Sequence, residues 1–164
     1  MLWGIAQKHG EFEWINTKKA VRLGGGYCSQ HAIVFDNILK EQGITSRILM
    51  LNGHVVNEVL VNDKWQVCDP DFNVVFYQSL KELEANPEEV FQAYKTAGLT
   101  DNEALQWKKI FSSDVDNWHV GSSISYSTDA YILERLASYI IWLLPGIMIL
   151  LGIFMLKYSW SNKG

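Results

Sequence analysis

Three residues in this chain combine reactive types with a workable order: a cysteine at position 28, a histidine at 54 and an aspartate at 69. Cys28 follows the run Gly24-Gly25-Gly26-Tyr27 and opens an apolar periodic stretch through Ala32, Phe35, Ile38 and Leu39, with Gly43 placed to stop it. That spacing predicts a helix from about Cys28 to Gln42 with the thiol in its first turn. Unpaired N–H groups and partial positive charge at a helix start favour thiolate over thiol. Alone, such a cysteine reads as a small buried packing residue. A base and an acid beside it would make it a nucleophile.

The base and acid come from a predicted hairpin. His54 to Val61 alternates between two faces, and Lys64 to Asp69 returns after Asn62-Asp63, a two-residue turn. With that turn, Val61 faces Lys64, Leu60 faces Trp65, and Val56 stands opposite Asp69. His54 is then diagonal to Asp69 on one face, about 7–8 Å away at the backbone and within side-chain reach. Cys68 faces Asn57 on the other side, which leaves Cys28 as the thiol to consider. A Cys, His, Asp set suits acyl transfer or amide hydrolysis. The imidazole shares the thiol proton and later protonates the leaving amine, while the acid orients the ring. The backbone N–H of Cys28 is one oxyanion donor. No second donor is assignable. Taken singly, His54 also reads as a strand-end histidine and Asp69 as a turn residue before Pro70.

The elements that must position these residues follow in order. Leu2 to Lys8 reads as a helix remnant, and Phe12, Trp14 and Ile15 as a short apolar element before Lys18-Lys19. Arg47 to Leu51 is a strand, closed by an Asn52-Gly53 turn. Ser79 with Glu82 and Thr100 with Glu103 are capping boxes, and Asn86-Pro87 opens a helix between them. The segment 112–130 is polar and serine-rich and reads as a stalk.

Composition narrows the class. The chain has 164 residues, 48% hydrophobic and 20% charged, with a net charge of -4. The absence of a basic run argues against nucleic acid as a partner. Two cysteines are too few for a disulfide framework, and there is no CxxC. A metal site from Cys28, His31, His54 and Cys68 is the alternative use of these ligands, but Cys68 points away in the predicted hairpin. His31 then reads as a helix-surface or core residue, and no cofactor is implied. Lys108-Lys109 and His119 read as solvated or membrane-surface groups.

Between Arg135 and Lys157 the run 136–156 carries no charge. As a helix it is about 31 Å long, matching a hydrocarbon core of about 30 Å. Tyr131, Tyr139, Trp142, Tyr158 and Trp160 cluster toward its ends as interfacial aromatics do. The expectation is a C-terminal transmembrane anchor, with Pro145-Gly146 tolerated inside it. Lys157 and Lys163 after the span, against Arg135 among Glu134, Asp129, Asp116 and Asp114 before it, predict an extracytoplasmic domain. MLWGIAQKHGEFEW lacks the basic and apolar regions of an export signal. The expectation therefore needs a start upstream of Met1; otherwise the domain is cytoplasmic and tail-anchored.

The stretch GGGYCSQHAIVFDNILKEQGITSRILMLNGHVVNEVLVNDKWQVCDPDFNVVF resembles the transglutaminase-like superfamily. Its ordered elements are G-x-C, Gly-Ile-x-x-Arg, G-H-x-x-x-E-V and W-x-x-x-D-P. Here these are Gly26 and Cys28, Gly43-Ile44 and Arg47, Gly53-His54 with Glu58-Val59, and Trp65 with Asp69-Pro70. The likeness spans roughly Trp14 to Tyr77. Val56 stands where the family often has a tryptophan two residues after its histidine, and the region before Cys28 is short.

The resemblance implies a catalytic triad of Cys28, His54 and Asp69. It also implies an α+β, papain-like core in which the cysteine-bearing helix packs on a small antiparallel sheet. The expected organisation is a core at 1–78, a helical extension at 79–111, the stalk at 112–130, the span at 136–156 and a tail at 157–164. The expected function is thiol-dependent acyl transfer or amide hydrolysis on a peptide or protein. The rival expectation is a catalytically idle, membrane-tethered binding module, as some superfamily members are.

Overall fold

A computed structural model of the protein describes residues 13–112 and 117–161. The helix expected at Leu2 to Lys8 lies outside the described residues. The chain runs α1 (Thr17–Leu23), α2 (Cys28–Glu41), β1 (Ser46–Leu51), β2 (His54–Val61), β3 (Lys64–Asp69) and β4 (Val74–Val75). It continues through α3 (Leu80–Ala85), α4 (Glu88–Thr96), α5 (Asp101–Ile110), β5 (Trp118–Gly121), α6 (Ser123–Tyr126) and α7 (Thr128–Ser161). The fold is α+β. Its five strands form one antiparallel sheet in the order β4-β3-β2-β1-β5.

Turn chemistry sets the register that matters for the site. Asn62 and Asp63 have φ of 50° and 61°, the left-handed pair that a two-residue hairpin needs. Val61 therefore pairs with Lys64 and Asn57 with Cys68. The next turn back, at Asn52-Gly53, pairs Leu51 with His54 and leaves the histidine at the very start of β2. Asp69 makes the following turn itself: its Oδ1 accepts from the N–H groups of Asp71 (3.0 Å) and Phe72 (3.4 Å). Its Oδ2 is left to face the sheet.

Two apolar layers sandwich the sheet. On one face Ala32 and Ile33 of α2 pack on Ile48 and Val55. On the other, Leu49, Leu51, Val56 and Val67 meet Leu80, Leu83, Val90, Tyr94, Ala104 and Phe111 from α3 to α5 and the turn after α5. Each fully buried side chain of this kind contributes about 1.5–3 kcal/mol. The motif residues Arg47, Glu58 and Trp65 brace this second face. The buried Glu58 carboxylate accepts from Arg47 Nε (2.9 Å) and Nη2 (2.6 Å), from His119 Nε2 (2.9 Å) and from the Leu80 N–H (2.7 Å). The Arg47 guanidinium lies 4.0 Å from the Trp65 ring centre.

The segment expected to be a polar stalk carries structure. β5 pairs along the outer edge of β1, with His119 opposite Leu49, and α6 packs beside α2. Its polar character is the means of docking. The buried Asp36 carboxylate accepts from the Ser123 N–H (2.7 Å) and Ser46 Oγ (2.7 Å), and Ser123 Oγ donates to Asn37 Oδ1 (2.6 Å).

α7 follows directly. From 128 to 158 it is long and apolar enough to cross a membrane, and none of its most apolar stretch is buried by the other described residues. Its first turns do make contact: Glu134 is buried, its carboxylate accepting from the N–H groups of Ile15 (2.6 Å) and Asn16 (3.0 Å).

Candidate active site

Cys28 is the first residue of α2, half-buried, and the chain before it explains how the thiol is presented. α1 ends at Gly24, whose φ of 67° lets the N–H turn back onto the Ala20 and Val21 carbonyls. Gly26 must be glycine, because a Cβ there would lie 2.5 Å from Gln30 Cβ. That close approach holds Gln30 in place, with its amide accepting from the Trp14 N–H (2.7 Å) and donating to the Trp14 carbonyl (2.9 Å). The N-cap, Tyr27, offers no side-chain acceptor, and the first turn of α2 carries no acid. The positive end of the helix is therefore left to the sulfur.

His54 meets this thiol from the start of β2 and Asp69 from the end of β3. His54 Nε2 lies 2.8 Å from Asp69 Oδ2, with both side chains almost fully buried. The same imidazole is close enough to Cys28 to interact with its thiol, and with Nε2 taken by Asp69 the ring nitrogen left for the sulfur is Nδ1. The three residues expected to act together are thus brought together.

Their electrostatics follow from these contacts. Burial pushes the Cys28 thiol up, but the hydrogen bond and charge of His54, with the N–H groups of Val55 and Ser29, outweigh it and lower it below an ordinary thiol. Burial likewise works against a charged His54, yet Asp69 and Cys28 together carry it up to about 9. Below about pH 9 the ring holds both protons, one toward the carboxylate and one toward the sulfur. A lowered thiol beside a raised imidazole favours the thiolate–imidazolium pair.

Tyr94, unforeseen in sequence, completes the shell from α4. Its hydroxyl donates to Asp69 Oδ2 at 2.5 Å, on the same oxygen that receives His54. Burial and the Asp69 charge push that hydroxyl far above the usual tyrosine range, so it stays a donor. Trp107 of α5 lies against the imidazole at 4.4 Å between ring centres, and Phe72, itself in edge contact with Trp107 at 5.1 Å, stands 5.9 Å from the imidazole. Tyr94 stacks on Trp107 at 5.5 Å. The only sequence signal for Tyr94 was its helical spacing from Val90, which marks a core face. A tyrosine buried there needs a hydroxyl partner.

Tyr126 of α6, Cys28 and Ile15 all pack against the buried cluster of Ala32, Ile33, Ile48 and Val55. Burial and the Glu13 charge raise the Tyr126 hydroxyl, partly countered by a hydrogen bond with Ser29. An apolar cavity of about 300 Å³ lies between α1 and α2, walled by Ala20, Val21, Val34 and Phe35, with Gly25 and Pro70 among its lining. Of the ligands in the alternative metal reading, His31 is engaged elsewhere: its Nδ1 is 2.6 Å from Asp71 Oδ1 at the surface. Among the described residues no three His, Cys, Asp or Glu side chains are placed to hold a metal. Cys68 stands apart in β3, where burial and the adjacent Asp69 charge push its thiol up to about 11.

Comparison with protein-family models, curated proteins and solved structures finds no match to this chain.

Proposed function

We propose that this protein is a membrane-anchored thiol acyltransferase or amidase of transglutaminase-like, papain-like type acting on a peptide or protein. The observation that carries the reading is the Cys28–His54–Asp69 contact chain with its thiolate–imidazolium electrostatics. The Cys28 sulfur attacks the carbonyl carbon of an amide, and the N–H groups at the start of α2 face the oxygen that gains charge. As the C–N bond breaks, His54 Nδ1 gives its proton to the departing nitrogen, leaving a thioester on Cys28. Water or an amine then attacks, His54 takes the proton of the incoming group, and the thiolate leaves. Asp69 holds the ring and balances its charge, and Tyr94 holds Asp69. The largely apolar cavity between α1 and α2 suits an uncharged side chain of the substrate. α7 serves as the anchor.

The test uses the full chain in detergent with two probes. Dansyl-cadaverine with dimethylated casein reports transfer to an amine, and a quenched fluorescent peptide library reports hydrolysis. Turnover in either assay that disappears in Cys28→Ala is the expected result. Turnover that persists in Cys28→Ala, or a wild-type Cys28 that titrates like a free thiol and ignores His54→Ala, overturns the reading.

A further inference from the structure

The way α1 is tied to α7 has a consequence for where the site works. Glu134 is the penultimate charged residue before the uncharged run 136–156, and it stands about 3 Å along the helix from the run's first residue. Its carboxylate is bonded to the N–H groups of Ile15 and Asn16, and Asn16 is the N-cap of α1. If α7 spans a bilayer, Glu134 lies in the headgroup layer, which is about 5–7 Å deep on each side. The start of α1 is held at the same depth, and the whole helix is only about 10 Å long.

What α1 shows to its surroundings matches that position. Lys18, Lys19 and Arg22 are exposed, and none has a carboxylate partner among the described residues. Lys19 leans over the Trp14 ring at 4.8 Å. Arg135, exposed on the first turns of α7, adds a fourth cation. The acids nearest in sequence are Glu11, Glu13 and Asp129, while the Glu134 carboxylate is consumed internally. Between the cations, Val21 is 62% exposed and Leu23 56%, and Tyr27 in the loop to the nucleophile is 58% exposed. Cations interleaved with apolar and aromatic side chains at the mouth of a span fit an anionic lipid surface: the charges meet phosphates and the apolar groups enter the interface.

We infer that α1 is a docking element for anionic lipid headgroups of the bilayer that holds α7. It thereby keeps the Gly24–Gly26 loop and the Cys28 thiol at the membrane surface, facing substrate segments presented there. This rests on the reading of α7 as an anchor, and the experiment separates the two. Amide hydrogen exchange is measured on the full chain in nanodiscs of pure phosphatidylcholine and of phosphatidylcholine with phosphatidylglycerol. Each cation drawn to an anionic surface is worth about a fivefold preference. The amides of 17–27 are therefore expected to exchange at least about fivefold more slowly in the anionic discs, with the difference shrinking in high salt. The triple variant Lys18→Glu, Lys19→Glu, Arg22→Glu abolishes the difference while amides of 80–110 keep their protection, which shows that the domain is folded.

Equal exchange of 17–27 in both lipids, with 136–156 fully protected, overturns the docking and leaves the anchor standing. A lipid-dependent slowing that survives the triple variant also overturns it. Rapid exchange across 136–156 in the discs overturns the anchor reading and the docking together.

Discussion

The same carboxylate acts on both thiols of this protein, with opposite results. Asp69 follows Cys68 directly in β3, and its negative charge adds to burial in pushing that thiol up to about 11. Cys28 is also partly buried, and burial alone would raise it. Between Cys28 and Asp69, however, stands His54, held protonated up to about 9 by the acid. The acid's influence reaches Cys28 as a neighbouring cation and a hydrogen-bond donor, and the thiol is lowered. The open N-terminus of α2 adds its N–H groups to Cys28, while Cys68 lies within β3. The lesson is that a negative group activates a thiol only through an interposed cation; placed directly beside it, the same group silences it.

The largest effect expected from this contrast is selective alkylation. At pH 7 a thiol with a value of about 11 is a thiolate in roughly one molecule in ten thousand. Iodoacetamide on the folded full chain should therefore modify Cys28 at least about a hundredfold faster than Cys68, read by peptide mass spectrometry. Comparable rates would erase the distinction. Next in size is His54→Ala. Without the cation only burial and the helix end remain, so alkylation of Cys28 should fall about tenfold or more at pH 6 and recover by pH 10. A rate at pH 6 unchanged in the variant would show that the helix end alone activates the thiol.

Asp69→Asn is expected to change the pH axis more than the rate. His54 owes its raised value to Asp69 and Cys28, and the imidazolium persists only below its folded value. In wild type the ion pair therefore holds up to about pH 9. With a neutral asparagine that upper limit should fall by one to two units, toward the ordinary histidine value of about 6.5. The His54 ring proton resonances, followed by NMR in detergent, report this directly. An unmoved midpoint would mean that Cys28, not Asp69, sets the histidine.

The parts of this arrangement that were legible in sequence are those fixed by local rules. Asn62-Asp63 specifies the hairpin register, and the register alone puts His54 and Asp69 on one face and Cys68 on the other. The Gly24–Gly26 break and the apolar period after it mark the start of α2. What stayed hidden depends on how layers dock. Tyr94 and Trp107 reach the site only because α4 and α5 pack on the sheet face that carries Val56 and Val67, which no spacing within either helix encodes. The segment 112–130 looked like a stalk because it has little apolar surface to bury. Its described part docks instead, Ser123 finding polar partners in Asp36 and Asn37, placed far earlier in the chain. A pattern search for hydrophobic periods does not register such pairing. The short α1 was hidden for a related reason: seven residues, three of them cationic, give no clear helical face.

Tyr94 supplies the smallest of the expected effects and the sharpest test of sign. Tyr94→Phe keeps the ring between Trp107, Phe72 and Phe111 and deletes only the hydroxyl bonded to Asp69 Oδ2. A buried carboxylate oxygen losing one donor costs about 1–3 kcal/mol, which chemical denaturation of the domain can detect. The effect on the histidine runs opposite to that of Asp69→Asn. Asp69 keeps its charge but has less of it neutralised by donors, so it becomes the stronger acceptor for His54 Nε2. The His54 midpoint should therefore rise above its wild-type value by a few tenths of a unit, and Cys28 alkylation at pH 7 should change less than about threefold. A midpoint that instead falls, as in Asp69→Asn, would mean that the hydroxyl holds the carboxylate in position more than it shares its charge. Tyr94 would then belong to the geometry of the pair rather than to its electrostatics.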